Sequence, residues 1–155
     1  MKKYTADDIK PIDWEAHVRM RPEMYFPTPD VDAEEVAKAI EYSAKVLGAV
    51  ETDFSEMDGW SYFCADKDWI FKSEFKFESI HEIFSGPGPF PEVKRQNAFR
   101  CESLCLAFSS SVYTASNGEV IVLKGSAPAG ALLEAHLKKL GGWERVVGFK
   151  FIKSA

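Results

Sequence analysis

The chain has 155 residues, 46% hydrophobic and 14% aromatic, with a formal net charge of −5. That size and composition suit a single globular domain over 1–155, able to bury a core, and argue against a disordered chain or a repeat array. No 18 apolar residues follow one another and the basic start Met1-Lys2-Lys3 leads into no apolar run, so the expectation is a cytosolic protein with no signal peptide and no membrane span.

In chain order, the first expected element is a short helix over Trp14 to Met20, with Asp13 as its N-cap and Arg21-Pro22 as its stop, since the residue before proline is pushed out of helical angles. Met24-Tyr25-Phe26 reads as a short extended piece. From Asp32 to Leu47 the apolar residues Val36, Ile40, Ala44 and Leu47 keep helical spacing, Asp32 can cap the start, and Gly48 sits where a C-terminal glycine is wanted. Trp60 to Ala65 is strand-like. Trp69, Phe71, Phe75 and Phe77 alternate with Ile70, Lys72, Glu74 and Lys76, which predicts a second strand paired to the first through a turn at Ala65-Asp66-Lys67-Asp68.

Gly86-Pro87-Gly88-Pro89 marks Phe84 to Pro91 as a loop, and Cys101, Leu104, Cys105 and Phe108 share one face of a helix expected from about Asn97 to Ser110. Val112 to Ser116 and Glu119 to Leu123 flank Asn117-Gly118, the pair that a type I′ hairpin turn needs. Leu132, Leu133, His136, Leu137 and Leu140 predict a further helix, ended by Gly141-Gly142, and Val146 to Ile152 a final strand. The mixture implies an α/β fold: a two-layer sandwich, with a largely antiparallel mixed sheet covered by helices on one face.

The charge is unevenly spread. Nine carboxylates between Asp30 and Asp58 face only Lys38 and Lys45, a net of −7 that leaves +2 for the remainder. Such a segment repels phosphate backbones, which disfavours nucleic acid, and attracts basic protein surfaces. Within it Glu51, Asp53, Glu56 and Asp58 lie in eight residues with no basic residue among them, and Trp60 beside them is a candidate anchor, because tryptophan is favoured at binding hot spots. Tyr62, Phe63, Trp69 and Phe71 are further aromatic candidates, although aromatic residues on one face of a strand belong mainly to the core.

Signals for catalysis or metal binding are few. Cys64, Cys101 and Cys105 make an odd number, expected as reduced thiols. Cys101 and Cys105 could share a helix face, but Leu104 and Phe108 beside them point to the core, and no CxxC or HxxxH completes a ligand set. His17, His81 and His136 have no nominated nucleophile, and there is no P-loop or G-x-S-x-G elbow. Arg19 and Arg21 could hold an anion or form structural ion pairs.

Val18-Arg19-Met20-Arg21-Pro22-Glu23-Met24-Tyr25-Phe26 resembles the V-R-K-R-P-G-M-Y-I-G segment of the gyrase B and topoisomerase IV ATPase domain. The order that follows, from long helix through strands, loop and helix to an Asn-Gly hairpin and a last strand, is similar to the GHKL ATPase domain shared with MutL and histidine kinases. The resemblance implies a GHKL-like scaffold, yet its nucleotide motifs are missing. The E-x-x-D-N-x-x-D helix is replaced by Val36 to Lys45, where Glu41 is the only central carboxylate and is expected on the surface. In the counterpart of D-D-G-R-G, Ala65 to Ile70, both glycines are gone, replaced by Lys67 and Trp69, and in that of G-G-x-H-G-V-G, Gln96 to Glu102, no glycine remains.

Glycine is what lets backbone approach a nucleotide, and backbone N–H groups are what wrap its phosphates. The expectation is therefore a non-catalytic protein-binding domain on a degenerate ATPase scaffold, with no cofactor and no metal. Its acidic surface would bind a basic protein partner, as an immunity or antitoxin protein neutralises a basic toxin. The alternatives are a divergent ATP-binding enzyme or nucleotide sensor, and a regulator of a type II topoisomerase.

Overall fold

The computed structural model describes residues 13–96 and 98–152, so the chain ends and Asn97, the expected start of a helix, lie outside the described residues. Helix α1 spans Trp14–Met20, capped by the Asp13 carboxylate, which accepts from the Ala16 N–H at 3.1 Å. Pro22–Met24 then forms a 3-10 turn, with the Tyr25 and Phe26 N–H groups bonded to the Pro22 carbonyl. The extended piece expected at Met24 to Phe26 is thus a turn. Helix α2 spans Ala33–Val46, with Asp32 accepting from the Glu35 N–H at 2.8 Å. It buries Val36, Ile40 and Ala44, the first two stabilising by roughly 1.5–3 kcal/mol each.

Strands β1 (Thr52–Met57) and β2 (Trp60–Ala65) form a hairpin around Asp58-Gly59, whose φ angles of 53° and 79° suit a type I′ turn. The partner of β2 therefore precedes it in the chain, and the strand expected over Trp69 to Phe77 does not form. β2 is already paired on both edges, by β1 and by β5, so no ladder remains for a following strand. Residues 66–79 instead run as irregular backbone, with the Ser73 hydroxyl and Glu74 N–H both held by the Glu92 carboxylate. Helix α3 (Ile80–Ser85) buries Ile80, Ile83 and Phe84.

The helix expected up to Ser110 is shorter: a 3-10 turn at Cys101–Ser103 runs into α4 (Leu104–Ala107), and Ser109 already begins β3. β3 (Ser109–Ser116) and β4 (Glu119–Lys124) flank Asn117-Gly118 at φ 50° and 78°, the hairpin that the Asn-Gly pair predicts. Helix α5 (Gly130–Lys139) and strand β5 (Arg145–Phe151) complete the chain. Among the described residues the sheet has the order β1-β2-β5-β3-β4, and every pairing is antiparallel.

The two faces of this sheet are both covered. Phe63, Ala65, Val112, Val147 and Phe149 pack with Val18, Ile40, Ile83 and Leu104 from α1 to α4. Trp60, Tyr62, Cys64, Tyr113 and Val146 pack on the opposite side with Leu140, Leu133 and Leu137 from α5 and its end. The α/β fold stands; helices on one face only, and a mixed sheet, do not. α5 crosses because its apolar stripe has a second set of strand side chains to bury.

Candidate functional site

Of the predicted partner-binding residues, Glu51, Asp53, Glu56 and Asp58 are exposed. β1 is an edge strand, which gives them free access to solvent. They do not form one cluster. Asp53 stands opposite Cys64 and Glu56 opposite Ser61, and residues three apart on a strand point to opposite faces. Glu51 and Asp58 lie at the two ends of the strand, on the order of 20 Å apart at the rise of an extended chain. Trp60 is only 6% exposed and packs edge-on against Tyr113 at 5.4 Å. It is core and cannot serve as a surface anchor, because its position on β2 faces α5.

Asp58 is also engaged. Its carboxylate accepts from His136 Nε2 at 2.8 Å, His136 Nδ1 lies 2.6 Å from the Tyr62 hydroxyl, and Tyr62 lies 2.6 Å from the Tyr113 hydroxyl. A carboxylate only accepts, so Nε2 carries hydrogen; in a neutral imidazole Nδ1 then takes the Tyr62 O–H, and Tyr62 accepts from Tyr113. Both tyrosines are buried, and burial pushes the Tyr62 phenol far above its ordinary value. The chain of hydrogen bonds fastens α5 to the sheet. Its only trace in the sequence is a histidine on the apolar stripe of α5.

Residues 65–70 and 98–102 close on each other. Trp69 is fully buried, edge-on to Phe63 at 5.5 Å, and its Nε1 donates to Glu102 at 2.9 Å. Arg100, fully buried between the rings of Phe77 and Phe90, donates to Glu102 through Nε and Nη2, and to the Ile70 carbonyl through Nη2. The Arg100 N–H goes to the Gly88 carbonyl and the Cys101 N–H to the Ser43 hydroxyl. These two backbone donors are thus used inside the protein. Glu41, expected as a solvated residue, is half-buried and accepts from the Thr52 hydroxyl.

Cys64 and Cys105 are buried and Cys101 half-buried, all as free thiols. Burial pushes Cys64 and Cys105 up to about 12 and Cys101 to about 11, which disarms them as nucleophiles. Arg19 donates to the Ala107 carbonyl at 3.2 Å, a structural role, while Arg21 is exposed.

A groove of about 630 Å³ opens where β2 and β3 end and β4 and β5 begin. Asp68 and Arg145 form a bidentate pair in its wall at 3.0 and 2.8 Å, and Arg145 Nη1 donates to the Thr114 hydroxyl at 3.2 Å. Phe71, Ile80 and Ile121 supply apolar surface, and His81, Asn117 and Glu119 polar groups. Glu51 and Asp66 sit at the same end of the sheet, where the Val50 N–H on Asp66 holds its carboxyl below the ordinary value. Glu51, the Asp66 to Asp68 stretch and Glu119 are distant in sequence and the topology gathers them. Neither a protein-family model nor a curated protein matches the chain.

Proposed function

We propose that this chain is a non-catalytic protein-binding domain on a scaffold of the GHKL ATPase type, holding a basic partner on its acidic surface in the manner of an immunity or antitoxin protein. One observation carries the reading. Asp53 and Glu56 stand exposed on edge strand β1 and Glu51 just before it, and none of them is in an ion pair among the described residues. Unpaired charge on an accessible edge steers an oppositely charged partner and guards the edge against indiscriminate pairing.

The scaffold assignment draws support from the order of α1, the Arg21-Pro22 turn, α2, the strands and the Asn117-Gly118 hairpin. The Trp69–Glu102–Arg100 cluster, packed between the counterparts of two nucleotide motifs, supports the absence of hydrolysis. In the test, the chain is mixed with the purified product of the gene adjacent to its own, and association rates are measured across a salt series. With Asp53→Lys and Glu56→Lys together, the on-rate should fall about tenfold at low salt and lose much of its salt dependence. An unchanged on-rate would reduce the acidic strand to a solvated face.

A second reading, a nucleotide sensor, is favoured by the groove beside Asp68, which belongs to the Ala65 to Ile70 segment. Calorimetry with ATP and Mg²⁺ decides it: micromolar binding would replace the first reading.

A further inference from the structure

We propose that the sheet-end groove receives an arginine side chain of the basic partner, flanked by apolar residues; this rests on the partner reading above. Three carboxylates and two basic side chains, Lys72 and Arg145, line the groove and the concavity beside it. Asp68 and Glu119 line the groove, and Glu144 lines the adjoining concavity of about 260 Å³, which shares Asp68 and Phe71. Arg145 and His81 also line the groove and Lys72 the concavity, while Lys67 precedes Asp68 and Lys76 Nζ donates to the Phe71 carbonyl at 3.3 Å.

Arg145 and Asp68 neutralise each other, which leaves Glu119 and Glu144 as the carboxylates open to a cation. The Nε, Nη1 and Nη2 of Arg145 are all taken by Asp68 and Thr114, and Arg145 is 7% exposed. Glu119 and Glu144 form no ion pair among the described residues, so their charge is available to a ligand.

The occupant must also satisfy the apolar wall. Phe71 is 48% exposed at the groove, a large uncovered ring beside Ile80 and Ile121. A guanidinium plane stacks on such a ring while its fork reaches a carboxylate, and its aliphatic stem covers the part-exposed Ile121. Lysine offers a strongly hydrated point charge without the flat face. Arginine anchors set between apolar neighbours are a recurrent form of interface hot spot, and the groove volume is that of a pocket able to take such a group.

The test titrates the ¹⁵N-labelled chain with three probes at low ionic strength: the blocked peptide Ac-Leu-Arg-Leu-NH₂, the same peptide with neutral citrulline for arginine, and ATP with Mg²⁺. The arginine peptide should shift the amides of Phe71, Asn117, Gly118 and Arg145 saturably. Citrulline, Glu119→Lys or Phe71→Ala should each weaken it at least fivefold. No saturable shift at those amides, equal shifts with citrulline, or shifts with ATP alone would each overturn the proposal. Partner binding that responds to the β1 charge reversals but not to Glu119→Lys or Phe71→Ala would also overturn it, and would leave the acidic-strand reading intact.

Discussion

His136 carries two hydrogen bonds of unequal consequence. His136→Ala removes the acceptor of the buried Tyr62 O–H, which keeps only its bond with Tyr113, and opens space beneath α5, so a loss of about 2–4 kcal/mol is expected in urea denaturation. Asp58→Asn touches a side chain that is 61% exposed and should cost well under 1 kcal/mol. Equal costs would show that the exposed end of the chain matters as much as the buried one. The thiols add a pH dependence. Their folded values near 11 and 12 lie above the ordinary thiol value of 9, so the folded state keeps protons that the unfolded state releases. Their contribution is full below pH 9 and is lost as pH rises through 11 to 12. Replacing Cys64 and Cys105 by alanine should flatten the alkaline limb of the stability curve, and in the native chain Ellman's reagent should label neither before unfolding.

At the scale of elements, β5 sits in the centre of the sheet with a glycine in its middle. A Cβ on Gly148 would meet ring carbons of Tyr113 and Tyr62 at 2.6 Å. Gly148→Ala should therefore cost about 1–3 kcal/mol or more by overpacking, read from the midpoint of thermal unfolding; an unchanged midpoint would mean that the two rings can move apart freely. Local chemistry made several elements legible. Asp13 and Asp32 cap α1 and α2, and Asn117-Gly118 turns β3 into β4, because each signal is complete within a few residues. Asp58-Gly59 has the same turn chemistry, yet the aromatic alternation from Trp69 to Phe77 points the hairpin the other way. Only the pairing of β2 with β5, from the far end of the chain, settles which side has an open edge.

Across the whole molecule, the buried Arg100–Glu102 pair ties the 65–70 segment to the 96–102 segment. Arg100→Met alone leaves Glu102 buried without its partner and should destabilise by about 3–5 kcal/mol, whereas Arg100→Met with Glu102→Leu should recover much of that loss. Chemical denaturation of the two variants distinguishes a lock between segments from simple packing; a double variant as weak as the single one would count against the lock. The acidic surface shows the same division between local and global. The sequence places Glu51, Asp53, Glu56 and Asp58 together, and exposure follows from their polarity and from an edge strand. Their faces were not legible, because strand register decides them, nor was the burial of Trp60, which depends on α5 crossing the sheet.

What the sequence by itself determined is local: caps, turns, the amphipathic stripe of α2, the reduced and inert character expected of the cysteines, and an overall α/β class. Tertiary structure alone decided which carboxylates share a surface, that α5 covers the second face, and that a groove opens at one end of the sheet. The reason is physical. Caps and turns are set by groups a few residues apart, whereas the groove is made by Asp68, Asn117 and Arg145, which only the pairing of β2, β5, β3 and β4 brings to one place.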